Sequence, residues 1–81
     1  MRETYMFTQG PTHEEAHTAL AQGTTVQAFI DGAEIPVVIT LSSVKPTTHP
    51  DLLELKGRSP EKIELSLMLD RNRTGMIHIH G

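Results

Sequence analysis

Residues 61–80 read EKIELSLMLDRNRTGMIHIH, and this stretch decides how the rest of the chain can fold. Apolar and polar side chains alternate over 61–69 and again over 75–80, which is the pattern of strands that bury one face. The polar segment DRNRT at 70–74 separates the two strands and predicts a turn. The stretch therefore predicts two successive antiparallel strands whose apolar side chains face inward. These inward residues are Ile63, Leu65, Leu67, Leu69, Ile77 and Ile79.

Three further strands are predicted upstream of this stretch. Alternation over 24–30 and 33–41 indicates two strands, and the Asp-Gly pair at 31–32 is typical of a type I′ hairpin turn between them. Residues 51–56 predict a short third strand. Pro36 has no N–H to donate to a sheet, so the strand over 33–41 is expected to be bulged or to lie at a sheet edge. An edge strand that is apolar on both faces is a natural subunit interface.

The segment 12–22 carries the signals of a helix. Thr12 is a suitable N-cap, Glu15 completes a capping box three residues later, and Gly23 is a suitable residue to end the helix. The apolar stripe of this helix is narrow, and its members are Ala16, Ala19 and Leu20. The helix is therefore expected to lie close to a sheet while burying little area. Arg2–Phe7 precede it as an arm or a short strand.

Together these elements predict an α+β fold. One N-terminal helix packs on a mostly antiparallel sheet of about five strands, arranged as a meander or as a small, partly open barrel. A chain of 81 residues has room for one hydrophobic core. We therefore expect residues 1–81 to form a single small domain, with an arm at 1–11, a helix at 12–22 and the sheet at 24–80.

Composition narrows the classes of function. The chain has no cysteine, a formal net charge of −3, and one tyrosine and two phenylalanines as its aromatic residues. The net negative charge argues against a nucleic-acid binder, and the lack of cysteine excludes disulfides and thiolate metal sites. The modest apolar content favours a homo-oligomer. Because the sequence shows neither an apolar run of membrane-spanning length nor a signal peptide, we expect a cytoplasmic protein without membrane contact, and we expect no cofactor.

The segment HEEAH at 13–17 matches the H-E-x-x-H pattern of zinc metalloproteases. His13 and His17 share one helix face and, with Glu14 as general base, have the spacing of a zinc site. The pattern nevertheless lies at the first turn of the predicted helix, and Gly23 holds the position of the third histidine in the extended pattern. We interpret the match as coincidental and expect a protein that is not an enzyme.

His78 and His80 alternate along the last predicted strand and therefore point to the same face. Two imidazoles at this spacing can share a metal ion when a third ligand approaches, and His49 and Glu64 are candidates for that ligand. Because nothing in the sequence fixes the third ligand, no metal site is favoured. The simpler interpretation is a pair of half-exposed histidines.

Two polar loops, 42–50 and 70–74, are expected at the same end of the sheet, because successive connections of a meander alternate between its ends. Residues 23–25 are expected at this same end of the sheet, whereas Lys56 and Arg58 are expected at the opposite end. Arginine forks, a lysine and hydroxyls suit a phosphate or a carboxylate. The candidate ligand-binding residues are Lys45, Thr47, Thr48, His49, Arg71, Asn72 and Arg73. The alternative is that these turns are polar only because they are exposed.

These observations favour a small non-enzymatic binding module. It is expected to self-associate and either to sequester an anionic small ligand or to inhibit a protein partner. The alternative is a structural subunit that assembles through edge strands, and an enzyme that uses a histidine-bound metal is less favoured. The sequence identifies neither the ligand nor the partner.

Overall fold

The computed structural model describes residues 2–80 and, within them, six strands and one helix. In chain order they are β1 (Arg2–Gln9), α1 (His13–Gln22), β2 (Thr25–Ile30), β3 (Val37–Pro46), β4 (Leu52–Arg58), β5 (Glu64–Asp70) and β6 (Gly75–His80). All neighbouring strands pair antiparallel. The predicted α+β fold, one helix packed on an antiparallel sheet, is confirmed, with six strands instead of about five.

Strand β1 is the additional strand. It pairs with β6 from Arg2 opposite His80 to Phe7 opposite Gly75, and with β2 through Phe7 opposite Ile30. Phe7 is fully buried in the core. Most of the segment expected as an arm therefore belongs to the sheet. The aromatic ring of Phe7 is buried because β1 lies between β6 and β2.

The six strands form a closed barrel in the order β1-β2-β3-β4-β5-β6, and β6 pairs back to β1. The barrel encloses one cluster of buried apolar residues: Phe7, Ala16, Ala19, Val26, Ala28, Ile39, Leu41, Leu53, Leu55, Leu65, Leu67, Leu69 and Ile77. The inward leucines predicted for β5 belong to this core. Ile63 does not, since it precedes β5 and is 40% exposed, and Ile79 in β6 is only partly buried.

The connection between β2 and β3 differs from the predicted two-residue hairpin. Residues 31–36 join the strands, and β3 begins at Val37, directly after Pro36. Gly32 has a positive φ of 85°, but Asp31 does not, so the predicted type I′ turn is wrong. Because Pro36 has no N–H to donate to the sheet, the strand begins after it and contains no bulge at this residue.

The prediction that this strand lies at a sheet edge is also wrong. Strand β3 pairs with β2 on one side and with β4 on the other, and it continues to Pro46, through residues expected to be loop. Among residues 2–80 the closed barrel leaves no edge strand. The subunit interface predicted from an exposed edge therefore has no such edge to use in this part of the chain.

Helix α1 begins and ends as the sequence predicts. The Thr12 hydroxyl accepts a hydrogen bond from the Glu15 amide at 3.0 Å, and the Glu15 carboxylate accepts one from the Thr12 amide at 2.8 Å. Gly23 ends the helix with a φ of 70°. Ala16 and Ala19 are buried where the helix packs against β3 and β2. Small side chains let the helix lie close to the barrel.

The capping box predicts how stability responds to acid. The hydrogen bond from the Thr12 amide, reinforced by the Thr12 hydroxyl and the charge of Arg73, lowers the pKa of the Glu15 carboxyl from its ordinary 4.5. The carboxylate's stabilisation is therefore fully present above this unfolded-state pKa and is lost as pH falls through the lower folded-state pKa. Glu15→Gln retains an acceptor for the capping box but cannot titrate. We expect its melting temperature to fall less than that of the wild type between about pH 6 and about pH 3.

Circular dichroism melts over this pH range measure the difference. Glu14→Gln is the matched control, because Glu14 lies in the same helical turn but outside the capping box. Parallel pH profiles for the wild type and Glu15→Gln would contradict the assignment.

Helix α1 is the one helix among residues 2–80. It has ten residues and is too short to span a membrane.

Candidate functional site

The two polar loops predicted to meet do lie at the same end of the barrel. Leu52, the first residue of β4, is opposite Asp70, the last residue of β5, so the loops before and after them are neighbours. Arg71 spans the two loops: its Nε donates to Asp51 Oδ1 at 3.0 Å, and an Nη donates to the Pro50 carbonyl at 3.4 Å. This arginine is thus engaged by a carboxylate of the protein itself.

The hydroxyl and amide groups that were predicted to bind a ligand form hydrogen bonds within their own loops. Thr47 Oγ1 donates to the carbonyls of His49 and Leu52 and accepts from the His49 amide. Asn72 Oδ1 accepts from the amide and the hydroxyl of Thr74. These contacts account for the residue types in the turns without a ligand.

The remaining predicted residues are dispersed. Thr48 is exposed in the loop, and Lys45 is exposed on β3 opposite Glu54. Arg73 contacts a different element from Arg71, since its Nε donates to the Gly10 carbonyl at 2.7 Å. The structure therefore brings the loops together, but it gives the two arginines separate partners.

Arg73 lines a cavity of about 440 Å³ between α1 and the outer face of β2. Thr18, Thr25, Gln27 and Phe29 contribute to its walls. Its charged residues are Glu14, Glu15 and Arg73. Two carboxylates and one guanidinium give this α1–β2 cavity a net negative charge, which does not favour an anionic ligand.

A second cavity, of about 390 Å³, is a groove on the outer surface of the barrel along β4, and we call it the β4 groove. Its lining residues are Ser42, Lys56, Gly57, Arg58, Glu64, Leu65, Ser66 and His80. The ionic side chains in it are two cations and one carboxylate, and two hydroxyls and an imidazole lie beside them. This groove carries the positive balance that was expected at the loops.

Strand register explains how these side chains meet. Lys56 lies opposite Ser66 across β4 and β5, and Arg58 lies opposite Glu64 one pair further along. Glu64 in turn lies opposite His80 on β6. Side chains two residues apart on a strand share a face, so the cations of β4 and the polar groups of β5 and β6 all point outward.

The contacts within the β4 groove are polar and partly exposed. An Arg58 Nη lies 3.4 Å from Glu64 Oε1, with both side chains more than half exposed, so the pair is weak and open to competition by a ligand. Ser66 Oγ and His80 Nε2 are hydrogen-bonded at 3.0 Å, and Ser42 Oγ donates to the Lys56 carbonyl at 3.2 Å.

Gly57 allows β3 and β4 to lie close together next to the groove. A Cβ at this position would overlap the Thr40 carbonyl oxygen, so a side chain here would push β3 and β4 apart. Gly57 itself is buried and faces the core, so Lys56 and Arg58 on either side of it both face outward.

The sequence contains an indication of the β4 groove, but it lies in the strands and not in the polar loops. The spacing of two residues places Lys56 and Arg58 on one strand face, and Ser66 and His80 occupy outward positions of the following strands. Only the strand register shows that these four side chains lie beside one another.

The two histidine pairs considered as metal ligands differ in their contacts. His13 Nε2 donates to the Leu69 carbonyl at 3.0 Å, which ties the start of α1 to β5, while His17 is exposed. His78 and His80 lie side by side, with ring centroids 4.6 Å apart. Within residues 2–80, no three side chains from His, Asp and Glu come together as metal ligands.

Comparisons of this chain with protein-family models, with curated proteins and with solved structures find no match.

Proposed function

We propose that the protein is a non-enzymatic binding module that holds a small anionic ligand in the β4 groove. The observation that carries this proposal is the pair Lys56 and Arg58, which project into one cavity from the same strand face. Glu64 offsets one of these charges, so the groove keeps a positive balance. The α1–β2 cavity, although larger, has the opposite balance.

The donor set suits a phosphate or a carboxylate group. Arg58 offers a planar fork and Lys56 a compact ammonium, and both form charge-assisted hydrogen bonds with anionic oxygens. When His80 Nε2–H donates to Ser66 Oγ, the Ser66 hydroxyl proton is available to a ligand at this cavity, whereas the Ser42 hydroxyl is engaged by the Lys56 carbonyl. A volume of about 390 Å³ is within the range of small-ligand sites. An incoming anion would exchange the weak Arg58–Glu64 contact for its own.

Binding is a better proposal than catalysis for this site. Ser66 and His80 have the contact of a nucleophile and its base, but a working pair also needs a group that orients the imidazole and donors for the developing oxyanion. Glu64, the nearest carboxylate in register, bonds to Arg58. We therefore assign the Ser66–His80 pair to ligand binding.

The proposal predicts which substitutions weaken binding. A charged hydrogen bond contributes about 1.5–3 kcal/mol, so removing either cation is expected to weaken binding by about 10-fold or more. Isothermal titration with inorganic phosphate, pyrophosphate and citrate compares the wild type with Lys56→Gln and Arg58→Gln. Lys45→Gln and Arg71→Gln are the matched controls at the loops and are expected to bind as the wild type does.

Two outcomes would contradict the proposal. If none of the three anions binds, the β4 groove is not an anion site. If Arg71→Gln loses binding while Lys56→Gln retains it, the site lies at the loops instead.

Three further expectations stay predictions. They are self-association, inhibition of a protein partner and a cytoplasmic location. Light scattering of the purified chain tests the first of them.

A further inference from the structure

Three of the four methionines of the chain lie side by side on the outside of the barrel. Met76 on β6 is directly opposite Met6 on β1 and directly opposite Met68 on β5. Met6 is 55% exposed and Met76 is 45% exposed, while Met68 is partly buried. We call these three residues the methionine row.

Packing does not explain this row. Strands favour β-branched and aromatic residues, and the core of this barrel is built from leucine, isoleucine, valine, alanine and phenylalanine. The methionine row lies outside that core, on the solvent side of three adjacent strands. Its shared property is the thioether sulfur, the only soft ligand that a chain without cysteine can offer.

The spacing allows the three sulfurs to converge. Directly opposed residues on antiparallel strands have Cβ atoms about 4.5–5.5 Å apart. A methionine side chain has three rotatable bonds, so Met6 and Met68 can both turn toward a point above Met76.

An imidazole lies next to the row on the same face. His78 is two residues from Met76, about 7 Å along the strand. Its Nδ1 lies 2.8 Å from Thr4 Oγ1. When Nδ1–H donates to this hydroxyl, Nε2 keeps the lone pair that a metal ion requires. A hydrogen bond to the second ring nitrogen is the usual means of orienting a histidine ligand.

We infer that Met6, Met68, Met76 and His78 form a binding site for a soft monovalent metal ion, Cu(I) or its redox-inert analogue Ag(I). Thioether and imidazole ligands together select Cu(I), whereas Zn²⁺ and Mg²⁺ favour thiolates, imidazoles or carboxylates. Binding involves no change of oxidation state. The site shares no residue with the β4 groove and does not depend on the function proposed above.

Competition with the chromogenic Cu(I) chelator bicinchoninate, under anaerobic conditions, tests the site in the intact chain. We expect one Cu(I) per chain and about 10-fold or greater weakening in Met76→Leu. Thr4→Val, which removes only the partner of His78 Nδ1, is expected to weaken binding by about 10-fold. His49→Gln, a histidine substitution at the polar loops, is the control and should bind as the wild type does.

A second measurement needs no substitution. In a chain labelled with ¹³C at the methionine methyl groups, Ag(I) is expected to shift the signals of the methionine row and to leave that of Met1 in place. Zn²⁺ at the same concentration should shift none of the four signals. The inference is overturned if Met76→Leu binds Cu(I) as tightly as the wild type, or if Ag(I) shifts the Met1 signal alone.

Discussion

Replacing Phe7 with alanine is expected to destabilise the protein by about 3–5 kcal/mol. The Phe7 side chain is fully buried, and its ring packs against Gly10 and Gly75. Alanine would leave a cavity at the point where β1 joins β2 and β6. Stabilities of about 0.05–0.15 kcal/mol per residue are usual, so this loss is a large part of the total for a chain of this size. Urea denaturation followed by circular dichroism measures it.

Thr8→Ala is the control on the same strand. Thr8 is exposed, and its hydroxyl donates to Asp31 Oδ1 at the surface, so a change within about 0.5 kcal/mol is expected. A comparably small change in Phe7→Ala would mean that the N-terminal segment behaves as the arm first predicted and not as a strand of a closed barrel.

Gly75→Ala is expected to destabilise the protein by about 3 kcal/mol, the upper part of the range for overpacking. A Cβ at Gly75 would overlap the Met68 carbonyl oxygen and would lie 3.0 Å from Phe7 Cζ. The carbonyl oxygen belongs to the backbone of β5 and cannot turn aside as a flexible side chain could. Relief therefore requires β5 and β6 to separate.

Gly23→Ala separates this steric effect from backbone conformation. Gly23 has a φ of 70°, but apart from its chain neighbours a Cβ added there would meet no atom of residues 2–80 within 4 Å. Its cost is therefore the left-handed backbone alone, about 1–2 kcal/mol. Urea midpoints of the two variants make the comparison. Equal or reversed losses would show that strand separation at Gly75 is easier than the close approach implies.

The two proposed sites depend differently on barrel closure. The β4 groove is built on β3 to β6, whereas the methionine row needs β1 beside β6, because Met6 and Thr4 are on β1. A variant in which β1 detaches but the remaining strands persist should therefore lose Cu(I) binding before it loses anion binding.

The strand and helix predictions succeeded where the signal is local. Alternation over 61–69 and 75–80 corresponds to β5 and β6, and the capping box at Thr12 forms as predicted. The errors arose where neighbours decide the outcome. Pro36 precedes β3 instead of lying within it, and β1 belongs to the sheet because two strands distant in sequence pair with it.

The candidate ligand-binding residues at the loops stay a prediction, and their contacts depend on more than the local sequence. The alternation of connections in a meander correctly placed loops 42–50 and 70–74 at one end, but β3 continues to Pro46, and Arg71 contacts Asp51 while Arg73 contacts Gly10. Sequence proximity does not determine the direction of a long side chain. Lys56 and Arg58 became a candidate site only when register placed them beside Ser66 and His80.

The sequence by itself determined the helix ends, the alternation of inward and outward side chains in β5 and β6, and the antiparallel α+β class. These follow from interactions within a few residues, namely the capping hydrogen bonds and the period of two along a strand. Only the tertiary structure decided that β1 closes the barrel, that β3 has no free edge, and which outward side chains from different strands share a surface. Those outcomes depend on register between segments distant in sequence, which local preferences do not specify.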